Sequence, residues 1–310
     1  MKARWTLLLV ATGVLASCAA PRRPSADEYF RQAIQSFRTG ALVPAIDQFH
    51  ELLDQYPFSQ YNEEAELKIA QAHYLAGSYP EAIVALTDFQ RRHPTSVYLP
   101  FIGYYLGMCY AQQMGTIDRD QTAAQNGQNY FETVAQQYPD SPFSELAREQ
   151  LAFCRENLAR HELYVARFYI TYRNKKAAEI RLLTLASRYG DTDAAADGLL
   201  QLARLYQKRK QDEDAVLAYQ ALEQLHPHTP QAVAARDALG QLASVDPPPA
   251  ANPLDVLLAA NGRRRTSGSF TTVQVPGLEP AHVARGPATA AAPGFAPTFS
   301  PFGGPGARPY

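Results

Sequence analysis

Residues 62–94 read NEEAELKIAQAHYLAGSYPEAIVALTDFQRRHP and set a pattern that the chain repeats. Apolar residues recur at helical spacing on both sides of the central AGSY turn. Ala70 and Ala82 are small at the points where two paired helices must cross closely. Gly77 can adopt the left-handed conformation that ends a first helix, and Pro94 cannot continue a second one. The stretch therefore predicts a helix–turn–helix unit.

The same unit recurs five times along the chain. Small residues mark the first helix of each unit at Ala33, Ala70, Gly107, Ala166 and Ala203. Small residues mark the second helix at Ala45, Ala82, Gly127, Ala178 and Ala215. A helix breaker closes each unit at Pro57, Pro94, Pro139, Gly190 and Pro227. The pattern resembles tetratricopeptide repeats. This resemblance implies an all-α, right-handed superhelical solenoid of about five repeats over residues 26–243, without a sheet.

The spacing departs from the regular step in the third repeat. Pro94 and Pro139 are 45 residues apart, whereas Ala45 and Ala82 are 37 apart. We assign the extra length to a polar loop over residues 114–126, followed by a second helix over residues 130–138. Two further features follow from the pattern. One is a longer helix over residues 144–172, whose end begins repeat four. The other is a capping helix over residues 230–243, which a solenoid needs to cover its last apolar face.

The N-terminus has the pattern of a targeting segment. Lys2 and Arg4 precede an apolar stretch, residues 5–14, that is too short to span a bilayer. The sequence Leu-Ala-Ser-Cys that ends at Cys18 resembles a bacterial lipobox. It implies a signal peptide over residues 1–17 and a tether over residues 18–25. Cys18 would carry lipid, palmitate among its chains, and ordinary secretory cleavage is the alternative. Alanines follow Cys18, and the absence of aspartate there favours the outer membrane.

The C-terminal composition changes after Ser244. Residues 244–310 are rich in Pro, Ala and Gly, so disorder is expected. Residues 253–261, PLDVLLAAN, are an exception. They predict either a short amphipathic helix that docks on a partner or a transient helix within a flexible tail.

Two cysteines remain in the predicted repeats. An oxidising compartment would permit a disulfide between Cys109 and Cys154. Both lie in apolar helical runs, where free cysteine packs as a small hydrophobic residue. Buried thiols are the favoured interpretation, and pairing stays open.

Composition and motifs favour a non-catalytic protein. The formal net charge of −1 gives no support for nucleic-acid binding. The seven histidines have no recognisable metal-ligand spacing. Glycine-rich phosphate loops, nucleophile elbows and HExxH motifs are absent from the sequence. We therefore expect no enzyme activity, cofactor or metal.

A family resemblance rests on the stretch HELYVARFY at residues 161–169, on Pro-Phe-Ser at residues 57–59, on the lipobox and on the five-repeat layout. Together they resemble the BamD family of lipoproteins in the outer-membrane β-barrel assembly machinery. The resemblance implies a lipid-anchored scaffold on the periplasmic face of the outer membrane. Its N-terminal half would meet unfolded outer-membrane proteins. Its C-terminal half would dock on the barrel-forming subunit, alongside other assembly lipoproteins. The alternative is another tetratricopeptide envelope lipoprotein, such as a pilus-assembly or cell-envelope coordination factor.

Candidate binding residues follow from the repeat positions that line the concave side and, for Glu162, from the charged residues of the stretch 161–169. The substrate-binding groove is predicted at Phe30, Ile34, Phe37, Tyr74, Tyr104 and Met108. Partner docking is predicted at Glu162, Arg167, Arg204 and Lys208. The groove would thus be aromatic at its N-terminal end and basic at its C-terminal end. The alternative for the aromatic set is that it seals adjacent repeats, and for Val165, Ala166 and Tyr169 it is core packing.

Overall fold

The computed structural model describes residues 23–245 and 252–266. Cys18 and its lipobox lie outside the described residues, as do residues 246–251 and 267–310. The described part contains twelve α-helices and no strand. They are α1 (Ala26–Arg38), α2 (Leu42–Gln55), α3 (Asn62–Leu75), α4 (Tyr79–Arg92), α5 (Leu99–Ala111), α6 (Thr122–Gln137), α7 (Pro142–Thr171), α8 (Lys175–Arg188), α9 (Asp193–Gln207), α10 (Asp212–Leu225), α11 (Pro230–Gln241) and α12 (Pro253–Thr266).

Each helix from α1 to α11 packs on its neighbours along the chain, which is the arrangement of a helical solenoid. The five predicted repeats correspond to α1–α2, α3–α4, α5–α6, the end of α7 with α8, and α9–α10. The long helix α7 joins repeats three and four, and α11 covers the end of repeat five. The predicted all-α tetratricopeptide-type solenoid is confirmed. None of the described helices is long and apolar enough to cross a membrane.

The small-residue columns lie where paired helices cross. All ten of these residues are buried in the structure. Gly107 and Gly127 lie against each other where α5 and α6 cross, because a Cβ placed on Gly127 would lie 3.5 Å from the Gly107 carbonyl oxygen. The periodicity of the sequence therefore predicted the contacts between helices as well as the helices themselves.

The loops between repeats share a feature that the sequence analysis overlooked. The helix breaker always follows the C-cap residue, and a serine or threonine lies two positions after the breaker, at Ser59, Ser96, Ser141, Thr192 and Thr229. Four of these hydroxyl oxygens accept a hydrogen bond from a backbone N–H near the start of the next helix, at 3.1–3.3 Å. The fifth, on Thr192, donates to the Tyr189 carbonyl at 2.6 Å. These bonds satisfy backbone groups that helix ends leave without a partner.

The loop assigned to residues 114–126 is shorter than expected. Helix α6 begins at Thr122, eight residues before the predicted start. The Asp120 carboxylate accepts hydrogen bonds from the Thr122 backbone N–H at 3.2 Å and from its hydroxyl at 3.0 Å. Ala124 and Gly127 are buried in the first turns of this helix. The polar composition of this segment concealed a helix that places only every third or fourth residue inward.

Helix α12 corrects the expectation for part of the C-terminal tail. It packs on α10 and α8 of the same chain. Leu257 is fully buried in the core formed by the last repeats. The Asn261 amide donates a hydrogen bond of 3.2 Å to the Tyr206 hydroxyl, which itself donates to the buried Glu179 carboxylate at 3.0 Å. Residues 253–261 are therefore a structural part of the solenoid's C-terminal end.

Candidate functional site

The residues predicted to line a groove lie along the joints between successive first helices. Phe30 stacks on Tyr61 with ring centroids 4.7 Å apart. Tyr74 meets Tyr105 edge to face at 5.0 Å. The Lys68 ammonium nitrogen lies 5.1 Å above the Phe37 ring. These rings are half-buried, so part of each seals two repeats together and part faces solvent.

The remaining groove candidates behave in the same way. Ile34 packs on the first core cluster, and Tyr104 and Met108 pack on the cluster around Phe131. Leu67, which occupies an equivalent position, is buried, as expected for a packing residue. We define the aromatic seam as the set Phe30, Phe37, Tyr74 and Tyr104.

The tyrosines of this region are neutral over the physiological pH range. Burial raises the pKa of Tyr105 to about 12 and also raises the pKa values of Tyr74 and Tyr104. Their hydroxyls are therefore hydrogen-bond donors and acceptors without charge. An uncharged aromatic surface suits an apolar or aromatic ligand better than an ionic one.

Glu162, the first of the predicted docking residues, is engaged within the chain. Its two carboxylate oxygens accept hydrogen bonds from the Arg181 Nη1 group at 3.2 and 3.1 Å. The Glu162 side chain is only 14% exposed. This ion pair links α7 to α8, so the structure gives Glu162 a packing role.

Arg167 is accessible and belongs to a polar chain across three helices. Its guanidinium contacts the Asp197 carboxylate on α9 at 3.1 Å and remains 54% exposed. The other Asp197 oxygen accepts a hydrogen bond of 2.7 Å from the Gln231 amide on α11. Arg204 on α9 and Lys208, the C-cap residue directly after it, are exposed and add positive charge. Arg167, Arg204 and Lys208 therefore place three exposed cationic side chains at this end, and Asp197 pairs with one of them.

An exposed aromatic stripe accompanies Arg167 on the same side of α7. Tyr164, Phe168 and Tyr172 recur every four residues and are 44%, 49% and 70% exposed. Phe168 and Tyr172 contact each other with ring centroids 4.5 Å apart. We call the four residues Tyr164, Arg167, Phe168 and Tyr172 the α7 face. The sequence analysis missed the three aromatic members, although their four-residue spacing was the available signal.

The inward residues of the stretch 161–169 pack in the core and stabilise the fold. Ala166 is fully buried, and Tyr169 packs against the main core, as the packing interpretation expected. The His161 Nδ1 atom lies 2.6 Å from the Ile117 carbonyl oxygen and so fixes the loop of repeat three onto α7. Residues 161–169 therefore combine an inward structural side with an outward face of aromatic and cationic groups.

Other clefts and side-chain clusters in the described residues give weaker evidence for a binding site. A cleft lies between α2, α3 and α4, next to His50, His73 and Val84, and does not coincide with the aromatic seam. Within residues 23–245 and 252–266, no group of three or more His, Cys, Asp or Glu side chains is arranged to hold a metal ion. The features that remain are extended surfaces on a repeat scaffold.

These features define the chain as a tetratricopeptide-type helical-repeat protein whose distinctive chemistry lies on exposed faces. The model of the YfiO family, described as outer membrane lipoprotein, matches residues 22–222. The chain belongs to this family.

Curated relatives are outer membrane protein assembly factors named BamD. The protein of Pasteurella multocida is 26% identical over 204 residues, covering 61% of this chain and 78% of that protein. The Xylella fastidiosa protein is 28% identical over 180 residues, and the match spans 53% of this chain and 62% of the relative's length. Among solved structures, the TPR2AB-domain:pHSP90-complex of yeast Sti1 overlaps 78% of this chain and 92% of that chain, with 16% identity and a TM-score of 0.35.

Proposed function

We propose that the protein is a lipid-anchored periplasmic scaffold for assembly of outer-membrane β-barrel proteins. Membership of the outer membrane lipoprotein family and the names of its curated relatives support this role. The lipobox at Cys18 supports attachment to the outer membrane through lipid. The observation that carries the proposal is the α7 face, because a free-standing solenoid has no packing reason to expose three large aromatic side chains in one stripe.

The α7 face is proposed as the docking surface for the barrel-forming subunit. Tyrosine and arginine are the residue types that dominate binding energy at protein interfaces. Arg167 is held in place by Asp197 at 3.1 Å, so little side-chain entropy would be lost when it binds. Arg204 on α9 and Lys208 directly after it extend the surface with positive charge.

The aromatic seam is proposed as the contact for unfolded barrel substrates. Transmembrane barrel strands carry aromatic girdles and alternating apolar residues. A half-buried ring presents a fixed apolar surface at low entropic cost. The seam runs along the first helices of repeats one to three, and an extended strand could follow it.

Copurification from detergent-solubilised membranes tests the docking proposal. The variants Arg167→Glu and Phe168→Ser should each recover less of the barrel-forming subunit than the unaltered chain does. Phe153→Ser is the matched control, because Phe153 is 56% exposed on the same helix but lies about 16 Å along it from Tyr164. Circular dichroism should show unchanged helicity in all three variants.

Three results would count against this proposal. Normal recovery with both α7-face variants would move the docking site elsewhere. Recovery of pilus or peptidoglycan machinery in place of a barrel-forming subunit would favour a different envelope lipoprotein. Loss of helicity in parallel with binding would make Arg167 and Phe168 structural residues.

A further inference from the structure

Among the described loops between repeats, which form one edge of the solenoid, the first two carry the most exposed large apolar side chains. Phe58, in the loop between repeats one and two, is 100% exposed. Val97, in the loop between repeats two and three, is 84% exposed. Neither side chain contributes to the core, so folding does not explain their apolar character.

The later loops along the same edge carry polar groups at the corresponding positions. The residue directly after the breaker is Phe58 in the first loop and Thr95 in the second, where the apolar Val97 lies two positions further on; in the last three loops it is Asp140, Asp191 and His228. All three of these are exposed. The edge therefore changes from apolar to polar with distance from the N-terminus.

The apolar end of this edge lies directly beside the point where the chain enters the first helix. The Tyr56 hydroxyl donates a hydrogen bond of 2.7 Å to the Pro24 carbonyl, and the Tyr61 hydroxyl donates one of 3.1 Å to Asp27. Tyr56 and Tyr61 flank the loop that carries Phe58. In the next loop, the Ser96 hydroxyl donates to the Glu63 carboxylate at the start of α3. The loops that carry Phe58 and Val97 are therefore the first two loops between repeats after the chain enters α1.

The tether to the proposed lipid site is short. Five residue steps separate Cys18 from residue 23, where the description begins, and a fully extended chain would span at most about 18 Å over them. Lipid chains on Cys18 would therefore hold the first loops close to the membrane surface.

We infer that the edge carrying Phe58 and Val97 is a membrane-contact surface that inserts these side chains at the boundary between lipid headgroups and acyl chains. The inference rests on the proposed lipidation of Cys18. Apolar side chains at this depth add a second attachment to the lipid anchor and would fix the solenoid's orientation.

The charge around the loops indicates which lipids are suitable. Asp54 and Glu64 lie next to the first loop, and Arg91 and Arg92, near the second, are paired with Asp88 and Glu66. The edge has no excess of positive charge to attract anionic lipids. Contact should therefore occur on zwitterionic membranes and depend little on salt.

Tryptophan fluorescence can test this contact, because the sequence contains one tryptophan, Trp5, which lies in the predicted signal peptide. The variants Phe58→Trp, Val97→Trp and His228→Trp would each give the processed chain a single reporter. The full processed and lipidated chain is reconstituted into phosphatidylcholine vesicles with and without brominated acyl chains. Mass spectrometry of the N-terminal peptide and vesicle flotation establish lipidation first.

We expect the reporters at positions 58 and 97 to shift to shorter wavelength and to lose emission in brominated vesicles. The tryptophan at position 228 should keep the emission wavelength that it has in water and should not be quenched by brominated lipid. A floating, lipidated chain in which all three reporters behave alike would overturn the membrane-contact proposal alone. A chain without lipid that does not float would overturn the anchor as well. A shift at position 58 that requires an added protein would assign the loop to a protein partner.

Discussion

Gly107 on α5 lies directly against the Phe131 ring on α6. A Cβ placed on Gly107 would come within 2.6 Å of the ring atom Cε1, closer than nonbonded carbon atoms approach. Phe131 is fully buried and cannot move aside without disturbing the core of repeat three. The glycine at this column position is therefore required by the size of the residue opposite.

We expect Gly107→Ala to destabilise the protein. Overpacking a well-filled core costs about 1–3 kcal/mol, and the gain in helix propensity, about 1 kcal/mol, offsets only part of it. Gly127→Ala is the control, because its Cβ would meet its nearest neighbour, the Cys154 sulfur, at 3.4 Å, an ordinary contact distance. Chemical unfolding of both variants checks this. Equal free energies of unfolding for the two variants would show that the Phe131 ring can move to make room for the added methyl group.

The backbone conformation of the turns within the repeats predicts that two substitutions by glycine stabilise the protein. Gly40 and Gly77 adopt φ of 79° and 75°, and the equivalent turns of repeats four and five place Arg173 and Lys210 at φ of 59° and 57°. A side chain in this left-handed region costs about 1 kcal/mol or more, which glycine avoids. Arg173→Gly and Lys210→Gly should each raise the free energy of unfolding, by up to about 1 kcal/mol.

Gly77→Ala provides the reverse test. Nothing lies within 4 Å of a Cβ added at Gly77, so the change acts through the backbone alone. We expect a loss of about 1 kcal/mol in thermal or chemical unfolding. A stabilising effect of Gly77→Ala, or a destabilising effect of Arg173→Gly, would contradict the backbone explanation.

Helix α12 should contribute to the stability of the last repeats. Leu257→Ala removes a fully buried side chain, and such changes cost about 2–5 kcal/mol. Because repeats in a solenoid contact mainly their neighbours, the loss should appear as faster amide hydrogen exchange in α8–α10, with little change in α2. Ala259→Ser, an exposed position on the same helix, is the control. Unchanged exchange with Leu257→Ala would mean that α12 is not docked in solution.

The sequence determined the repeat architecture because one physical requirement, close helix crossing, recurs in fixed register. The ten small residues and the breakers located five helix pairs without any knowledge of the contacts. The start of α6 at Thr122 was missed because a polar helix that buries only a narrow face has weak periodicity. Likewise, the docking of α12 depends on Leu257 reaching a site on α8–α10, which composition does not encode.

The candidate site was less predictable than the fold for a related reason. The charged residues of the stretch 161–169 identified Arg167 and Glu162 as interface candidates, but their partners lie on other helices. Glu162 is neutralised by Arg181 and Arg167 is only partly covered by Asp197, and sequence spacing does not distinguish these cases. The aromatic α7 face was missed because Tyr164 and Phe168 adjoin inward residues in an apolar run.

The two cysteines should be unreactive in the folded protein. Both are free and buried, and burial raises the pKa of Cys109 to about 12 and that of Cys154 to about 11, from an ordinary value of 9.0. Since the thiolate is the reactive form, neither should react with a thiol reagent at neutral pH until the chain unfolds. Rapid labelling of the native protein would contradict their burial.

The same shifts predict a loss of stability in alkaline solution. Above pH 9 the unfolded chain releases thiol protons that the folded chain retains, so the free energy of unfolding falls as pH rises towards 11 and 12. Replacing both cysteines by alanine should reduce this alkaline slope, and the raised tyrosine pKa values should account for the rest. Denaturant titrations at pH 8 and pH 10 give the measurement.

The aromatic seam allows a test that separates binding from packing. Replacing Phe37 and Tyr74 by serine would leave space between repeats, whereas leucine keeps most of the apolar volume and removes the aromatic face. If the rings anchor a substrate strand, the double leucine variant should bind a C-terminal barrel-strand peptide about tenfold more weakly, since aromatic contacts contribute about 0.5–1.5 kcal/mol each. Tyr110→Leu is the control, because Tyr110 stacks on Tyr130 at 5.7 Å outside the predicted groove positions. Unchanged peptide affinity in a folded double variant would mean that Phe37 and Tyr74 serve only to join adjacent repeats.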